Sequence, residues 1–253
     1  MTNYNLVYFH IQSDWGEELK YSLRSFEKYF SQLGEVWIFG DLPAYLDPSK
    51  LQHIPKQPTV NPGIFTHAGA RRLLVRNYPQ IGEDFLIASD DQYLLRPVGF
   101  EDFGPYCVQD LRSVERWSKS EWQLKLWRTY DLLIHMGYTT YNFESHTPMR
   151  VNRQTYEQVA KLFLNIEKVA THDYHSYCPA TAYWNITGNT GRSYRFAKDY
   201  RIGFTAANRD IWPRRIKKLL EGKTFLFHDD HGLTRALRTV IKTQFPDKSN
   251  FEL

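Results

Sequence analysis

Two stretches of this 253-residue chain set adjacent carboxylates at the end of an apolar run: DFLIASDDQYLL at 84–95, with Asp90 and Asp91, and FLFHDDHG at 225–232, with Asp229 and Asp230. Neighbouring carboxylates repel each other and lose hydration in apolar surroundings, so each needs a cation, a donor or a solvent-facing strand end to stay ionised. An ordinary strand exit meets that need, with Ser89 and Asp90 hydrogen-bonding the local backbone. A metal site meets it differently. Carboxylate oxygens suit Mg²⁺ or Mn²⁺, which neutralise a nucleotide diphosphate, and open α/β sheets bind ligands at the carboxyl ends of their strands. The shared pattern lets the two segments converge. His228 and His231 admit zinc or a helix cap. His172, His175 and Cys178 supply three soft ligands with no clear fourth, which reads better as a surface loop.

Periodicity gives the elements that must position these groups. Residues 6–11 (LVYFHI) read as a buried strand with one histidine, followed by a polar loop at 12–16. From Glu17 onward Leu19, Leu23, Phe26, Phe30 and Leu33 step by fours and threes, the stripe of an amphipathic helix ending near Gly34, with Arg24 beside the stripe. Residues 35–39 (EVWIF) form a second strand. A connection containing Pro48, Pro55, Pro58 and Pro62 reads as loop, a helix is expected over 67–77, and the strand 85–88 delivers Asp90 and Asp91. This alternation argues for an α/β fold, a three-layer domain with a mostly parallel central sheet. The second half reads as more helical, with helices over 121–136, apolar nearly all round, and 155–169. Between them a polar loop, 142–149, carries His146; a strand over 224–227 and a helix marked by Leu233, Leu237 and Val240 complete the chain.

The length fits a single domain over 1–253. A hydrophobic share of 42% and a charged share of 24% are globular values, while 16% aromatic residues suit sugar or base stacking as well as core filling. The balance of 32 Lys and Arg against 28 Asp and Glu, +4, is too mild for a dedicated nucleic-acid binder and compatible with an anionic ligand. The run RRIKK at 214–218 reads as a solvated helix face ahead of a phosphate patch. Cys107 and Cys178 form no disulfide framework. With no secretory pattern at the start and no long apolar run, a soluble, cytoplasmic protein without a membrane span is expected, and the Asn185-Ile186-Thr187 glycosylation pattern carries no weight. Missing GxxxxGK[ST], GxGxxG and GxSxG motifs remove support for P-loop kinases, dinucleotide enzymes and α/β-hydrolases.

The segment ELKYSLRSFEKY at 18–29 closely resembles the ELRYSLRSIEKY motif of the Stealth family of sugar-phosphate transferases, which includes capsule polymerases and N-acetylglucosamine-1-phosphotransferase. The order of motifs continues to match. WIFGDLP at 37–43 sits where the family has a strand, a polar turn and a proline, and Ser89-Asp90-Asp91 where it has Asn-Asp-Asp. SHTPM at 145–149 resembles its His-x-Pro region, and FLFHDD at 225–230 followed by FPDKSNFE at 245–252 its closing region. The resemblance runs in order from residue 14 to residue 252. Gln12, Ser89, Asp229 and Lys248 depart from the family pattern.

The resemblance implies a GT-A-like fold that lays a nucleotide-sugar donor over the carboxyl edge of the sheet. It implies Asp90, Asp91 and Asp230 on Mg²⁺ or Mn²⁺, Asp229 beside the donor, Arg24 forking onto a phosphate and His146 as base for an acceptor hydroxyl. Transfer of a sugar 1-phosphate and transfer of the sugar itself both remain open. A glycan is the default acceptor and a hydroxylated base in DNA the alternative. The rival from another class is a non-catalytic sugar- or nucleotide-binding module.

Overall fold

The computed structural model describes residues 2–13, 15–55, 75–116, 120–163, 176–187, 194–208 and 211–253. The first half contains β1 (Tyr4–His10), α1 (Glu18–Tyr29), β2 (Leu33–Gly40), β3 (Gln52–Pro55), β4 (Asp84–Ala88) and β5 (Gln92–Leu94). Then come β6 (Tyr106–Cys107), β7 (Gln109–Asp110), α2 (Glu121–His135), β8 (Tyr141–Asn142), β9 (Met149–Asn152), α3 (Arg153–Leu162) and α4 (Pro179–Ile186). The chain closes with β10 (Arg195–Phe196), α5 (Ala197–Tyr200), β11 (Arg201–Phe204), α6 (Pro213–Leu220), β12 (Phe225–His228) and α7 (Arg235–Gln244).

Five strands form the main sheet in the order β3-β2-β1-β4-β9; the first four are parallel and only β9 runs antiparallel. The architecture is therefore mixed α/β with a mostly parallel sheet. Side chains alternate across it, as a period of two requires. Leu6, Tyr8, Val36, Ile38 and Leu86 meet Leu19, Leu23, Phe26 and Phe30 of α1 and the segment beyond it on one face. Val7, Trp37, Phe39 and Phe85 meet Tyr156 and Val159 of α3 and Ala182 and Trp184 of α4 on the other. Each fully buried Leu or Phe of this kind stabilises the fold by about 1.5–3 kcal/mol. A second sheet, β11-β12-β5, packs Tyr93, Phe204 and Leu226 against Leu237, Val240 and Ile241 of α7.

Several boundaries differ from the sequence expectation. The stripe that predicts a helix to Gly34 stops at Tyr29, because Leu33 pairs with Tyr4 and begins β2. Strand pairing outweighs the helical period there. β3 lies in the connection read as loop; Pro55 is its last residue on the sheet edge, a position that tolerates a missing N–H. The helix α3 begins at Arg153, where the Asn152 side chain accepts the Thr155 N–H at 3.3 Å. The expected helix over 67–77 and the stretch holding His172 and His175 lie outside the described residues, apart from 75–77. α2 is not buried all round: Trp122, Leu124 and Ile134 are exposed. The basic side chains of α6 are exposed, as a solvated face requires, and both cysteines are buried. Among the described residues no helix is long and apolar enough to cross a membrane.

Candidate functional site

The strand order has one reversal. From β1 the chain moves outward to β2 and β3, then returns to the opposite side of β1 as β4. The crevice at the carboxyl ends of β1 and β4 is the topological switch point, where open sheets bind ligands. His10 ends β1, and its Nδ1–H donates to Asp90 Oδ2 at 2.6 Å across that crevice. Asp90 and Asp91 form the turn from β4 into β5, which is also closed by Gln92 N–H on the Ser89 carbonyl at 3.2 Å. The ordinary strand exit and the carboxylate site are the same turn.

α1 holds β5 in place. Ser22 Oγ donates to the Gln92 carbonyl at 2.6 Å, and the Leu94 N–H donates to Ser25 Oγ at 3.0 Å. Those two serines lie in the YSLRS segment that carries much of the resemblance. Because β5 pairs with β12, Gln92 lies opposite Phe227 and the two acidic segments converge. Glu18, first residue of α1, completes the group. Burial and then the charges of Asp90 and Asp230 push its pKa up to about 7. Burial and then Asp90 hold Asp91 well above the ordinary carboxylate range, with Glu18 and Asp230 adding to the push. Three buried polar atoms here have no partner among the described residues: His10 Nε2, Glu18 Oε2 and Asp91 Oδ1.

This donor set is hard oxygen, which suits Mg²⁺ or Mn²⁺ better than zinc. Among the described residues no three His, Cys, Asp or Glu side chains are gathered closely enough to hold a metal ion. That arrangement still fits a magnesium-like ion, which takes one or two protein carboxylates and completes its shell with water and substrate phosphate. The zinc alternative loses His228. Its ring is buried, its Nε2 lies 3.0 Å from the Tyr93 hydroxyl and its Nδ1 3.3 Å from the Asp229 carbonyl, and burial pushes its pKa down to about 4.

Two of the sequence candidates have structural partners instead. Arg24 does not face a phosphate site: its Nε and Nη2 donate to both oxygens of Glu252 at 2.7 Å, and its Nη1 donates to the Phe245 carbonyl at 2.9 Å. It clasps α1 to the C-terminal FPDKSNFE segment. Asp229 Oδ1 accepts the Gly232 N–H at 2.7 Å and so closes the turn before α7. Both members of that pair are exposed, and Asp230 is the one whose charge reaches Glu18 and Asp91.

His146 lies on a wall near the crevice. Its backbone is left-handed, φ 50°, a strained setting for a residue other than glycine and one that clusters at functional sites. The loop is fixed from α4: the Phe143 N–H donates to Thr181 Oγ1 at 3.0 Å and the Thr181 N–H to Glu144 Oε1 at 2.9 Å. The ring stacks on Phe227 at 4.9 Å, and that approach requires Gly203, where a Cβ would collide with the Phe227 ring. His146 keeps an exposed face, yet the protein crowded beside the ring, and then Arg201, push its pKa down to about 4, so the imidazole is neutral at pH 7. A cavity of about 290 Å³ opens between this wall and the switch point, lined by Phe9, Ser89, Gln92, Trp122, His146 and Trp184 among others.

Sequence reasoning missed Glu18, which looks like any acid at a helix start, and His10, although a lone histidine in LVYFHI was a visible signal. No protein-family model matches the chain, and no curated protein matches it.

Proposed function

We propose that the chain is a nucleotide-sugar-dependent transferase of GT-A-like fold, of the sugar-phosphate transferase kind that its motifs resemble. The observation that carries this reading is the pair of buried, unpartnered carboxylate oxygens, Glu18 Oε2 and Asp91 Oδ1, grouped with Asp90 and Asp230 at the switch point. Unpaired buried acceptors in a cluster of like charge are costly and persist where a cation is to be received.

In this reading Asp90 and Asp91 would hold Mg²⁺ or Mn²⁺, with water and donor phosphate completing its shell, while Asp230 and Glu18 add negative charge around them; three carboxylates on one ion, as the motifs imply, are not gathered among the described residues. The ion, when bound, stabilises the charge that grows on the departing phosphate. His10 keeps Asp90 oriented through its Nδ1–H. The donor lies in the cavity beside Ser89 and Gln92. His146, neutral at pH 7, takes the proton from the acceptor hydroxyl as the new bond forms. If that oxygen attacks the β-phosphorus, the bridging P–O bond breaks and a nucleoside monophosphate leaves with the sugar 1-phosphate transferred. If it attacks the anomeric carbon, the C–O bond breaks and the nucleoside diphosphate leaves.

Incubation with a panel of nucleotide sugars and Mg²⁺ or Mn²⁺ tests the proposal, because the nucleotide released reports both donor and bond broken. Release that persists in chelator, or in the Asp90→Ala, Asp91→Ala double variant, rejects it. A DNA acceptor is the second reading. It is favoured by Trp212, 80% exposed at the head of α6 beside exposed Arg214, Arg215, Lys217 and Lys218. It requires DNA binding that falls steeply with salt.

A further inference from the structure

A second cavity, of about 310 Å³, lies on the other side of the His146 wall. It shares His146, Trp122 and Glu144 with the first cavity and is otherwise lined by Gln109, Gln123, Asn142, Arg201 and Phe227 among others. Amides around an aromatic ring are the residue types that bind sugar hydroxyls and stack on a pyranose face. Two of its lining groups have buried atoms without a partner among the described residues, one acceptor and one donor: Gln123 Oε1 and Arg201 Nε.

Arg201 differs from the other partly buried arginines. Arg24 has Glu252, and Arg153 donates to three backbone carbonyls at 2.9 to 3.0 Å. Arg201 has no ion pair among the described residues; its guanidinium lies 4.6 Å over the Phe227 ring, the ring on which His146 also stacks. Burial alone pushes its pKa down to about 10, and it remains a cation at pH 7. A half-buried, unpaired guanidinium in a cavity is a receptor for a planar or tetrahedral anion.

We propose that this cavity is the acceptor subsite and that it takes a sugar bearing an anionic substituent, a carboxylate or a phosphate ester, held by Arg201. The assignment rests on the transferase reading, which puts the donor in the first cavity and His146 between the two substrates. At about 310 Å³ the space is at the lower end for ligand pockets, roughly 300–1,000 Å³, enough for one sugar unit with the rest of the acceptor extending outward. Gln123 offers an acceptor to a ring hydroxyl, and Trp122, exposed along one side, offers a stacking face.

The test is a ligand-observed NMR titration of the full chain, without donor or metal, using glucuronate, glucose 6-phosphate and glucose. One or both anionic sugars should bind about ten-fold more tightly than glucose, the size of one charge-assisted contact. Arg201→Gln should bring them down to glucose, and Arg201→Lys should restore part of the preference. Which of the two anionic sugars responds identifies the substituent. Equal affinity for all three sugars, or a preference that survives Arg201→Gln, overturns the proposal. If Arg201→Gln does not fold, Gln123→Ala carries the test: it should weaken all three sugars alike, and unchanged binding counts against the site. Nucleotide release with no anionic preference rejects the subsite alone. An Arg201-dependent preference without nucleotide release keeps the sugar site and rejects the transferase reading.

Discussion

The turns Ser89-Asp90-Asp91 and His228-Asp229-Asp230 follow the same pattern, an apolar strand delivering two carboxylates, and they meet because β5 and β12 pair. Their electrostatics differ. In the first turn Asp90 reaches across the switch point to His10, and Asp91 keeps a buried oxygen with no partner among the described residues. In the second, Asp229 closes its own turn on Gly232, and only Asp230 joins the cluster. A satisfied carboxylate stabilises the fold, whereas an unsatisfied one is poised for a ligand, and adjacent residues in one motif divide between these roles. The arginines divide the same way, Arg24 fully bonded and Arg201 not.

The sharpest test of that contrast is catalytic. Asp91→Asn should lower nucleotide release on the order of 10³-fold, as loss of a charge-stabilising group does, while Asp229→Ala leaves it within roughly two-fold; equal losses would erase the distinction. His146→Ala should cost about 10²- to 10³-fold in kcat with the donor KM unchanged, measured at pH 7 in the same assay. Arg24→Ala leaves the buried Glu252 carboxylate without its cation, held only by Ser249, and should destabilise the fold by about 3 kcal/mol in urea unfolding, while the variant still binds nucleotide. A loss of nucleotide affinity with normal stability would return Arg24 to the site.

Glu18 carries the opposite sign. Its carboxyl ionises at 4.5 ordinarily and at about 7 in the folded chain, so the stability it contributes is present below pH 4.5 and lost as pH rises through 7. Glu18→Gln should therefore stabilise the metal-free protein by roughly 2 kcal/mol at pH 8 and by nothing at pH 4, read as the shift in unfolding midpoint. Mn²⁺ affinity, measured with nucleotide present, should rise between about pH 6 and pH 8 in the parent as its carboxyls deprotonate, and less so in Glu18→Gln. The smallest effect is that of Asp229→Ala on stability, about 1 kcal/mol for the lost turn hydrogen bond.

Much of this was legible in the chain itself. LVYFHI, EVWIF and DFLIA read as buried strands because apolar, β-branched and aromatic runs bounded by polar turns have few alternatives, and the acidic pairs announced themselves by their apolar context. β3 was not legible, because Pro55 and its polar neighbours look like loop until Gly40 and Phe39 pair with them. The helix expected to Gly34 failed for the related reason that a local period does not know its partner strand. Arg24 misled because a guanidinium on a helix face has the same sequence signature whether phosphate or Glu252, 228 positions away, receives it.

The sequence by itself determined the α/β class, a mostly parallel sheet and the delivery of Asp90, Asp91 and Asp230 to strand ends, because these depend on local periodicity. Only the tertiary structure decided which of those carboxylates keeps a buried acceptor oxygen without a partner among the described residues, that Glu18 and His10 join them, and that Arg24 is ion-paired while Arg201 has no ion pair among the described residues. Whether a polar atom is satisfied depends on what long-range packing sets beside it, and no local pattern carries that information.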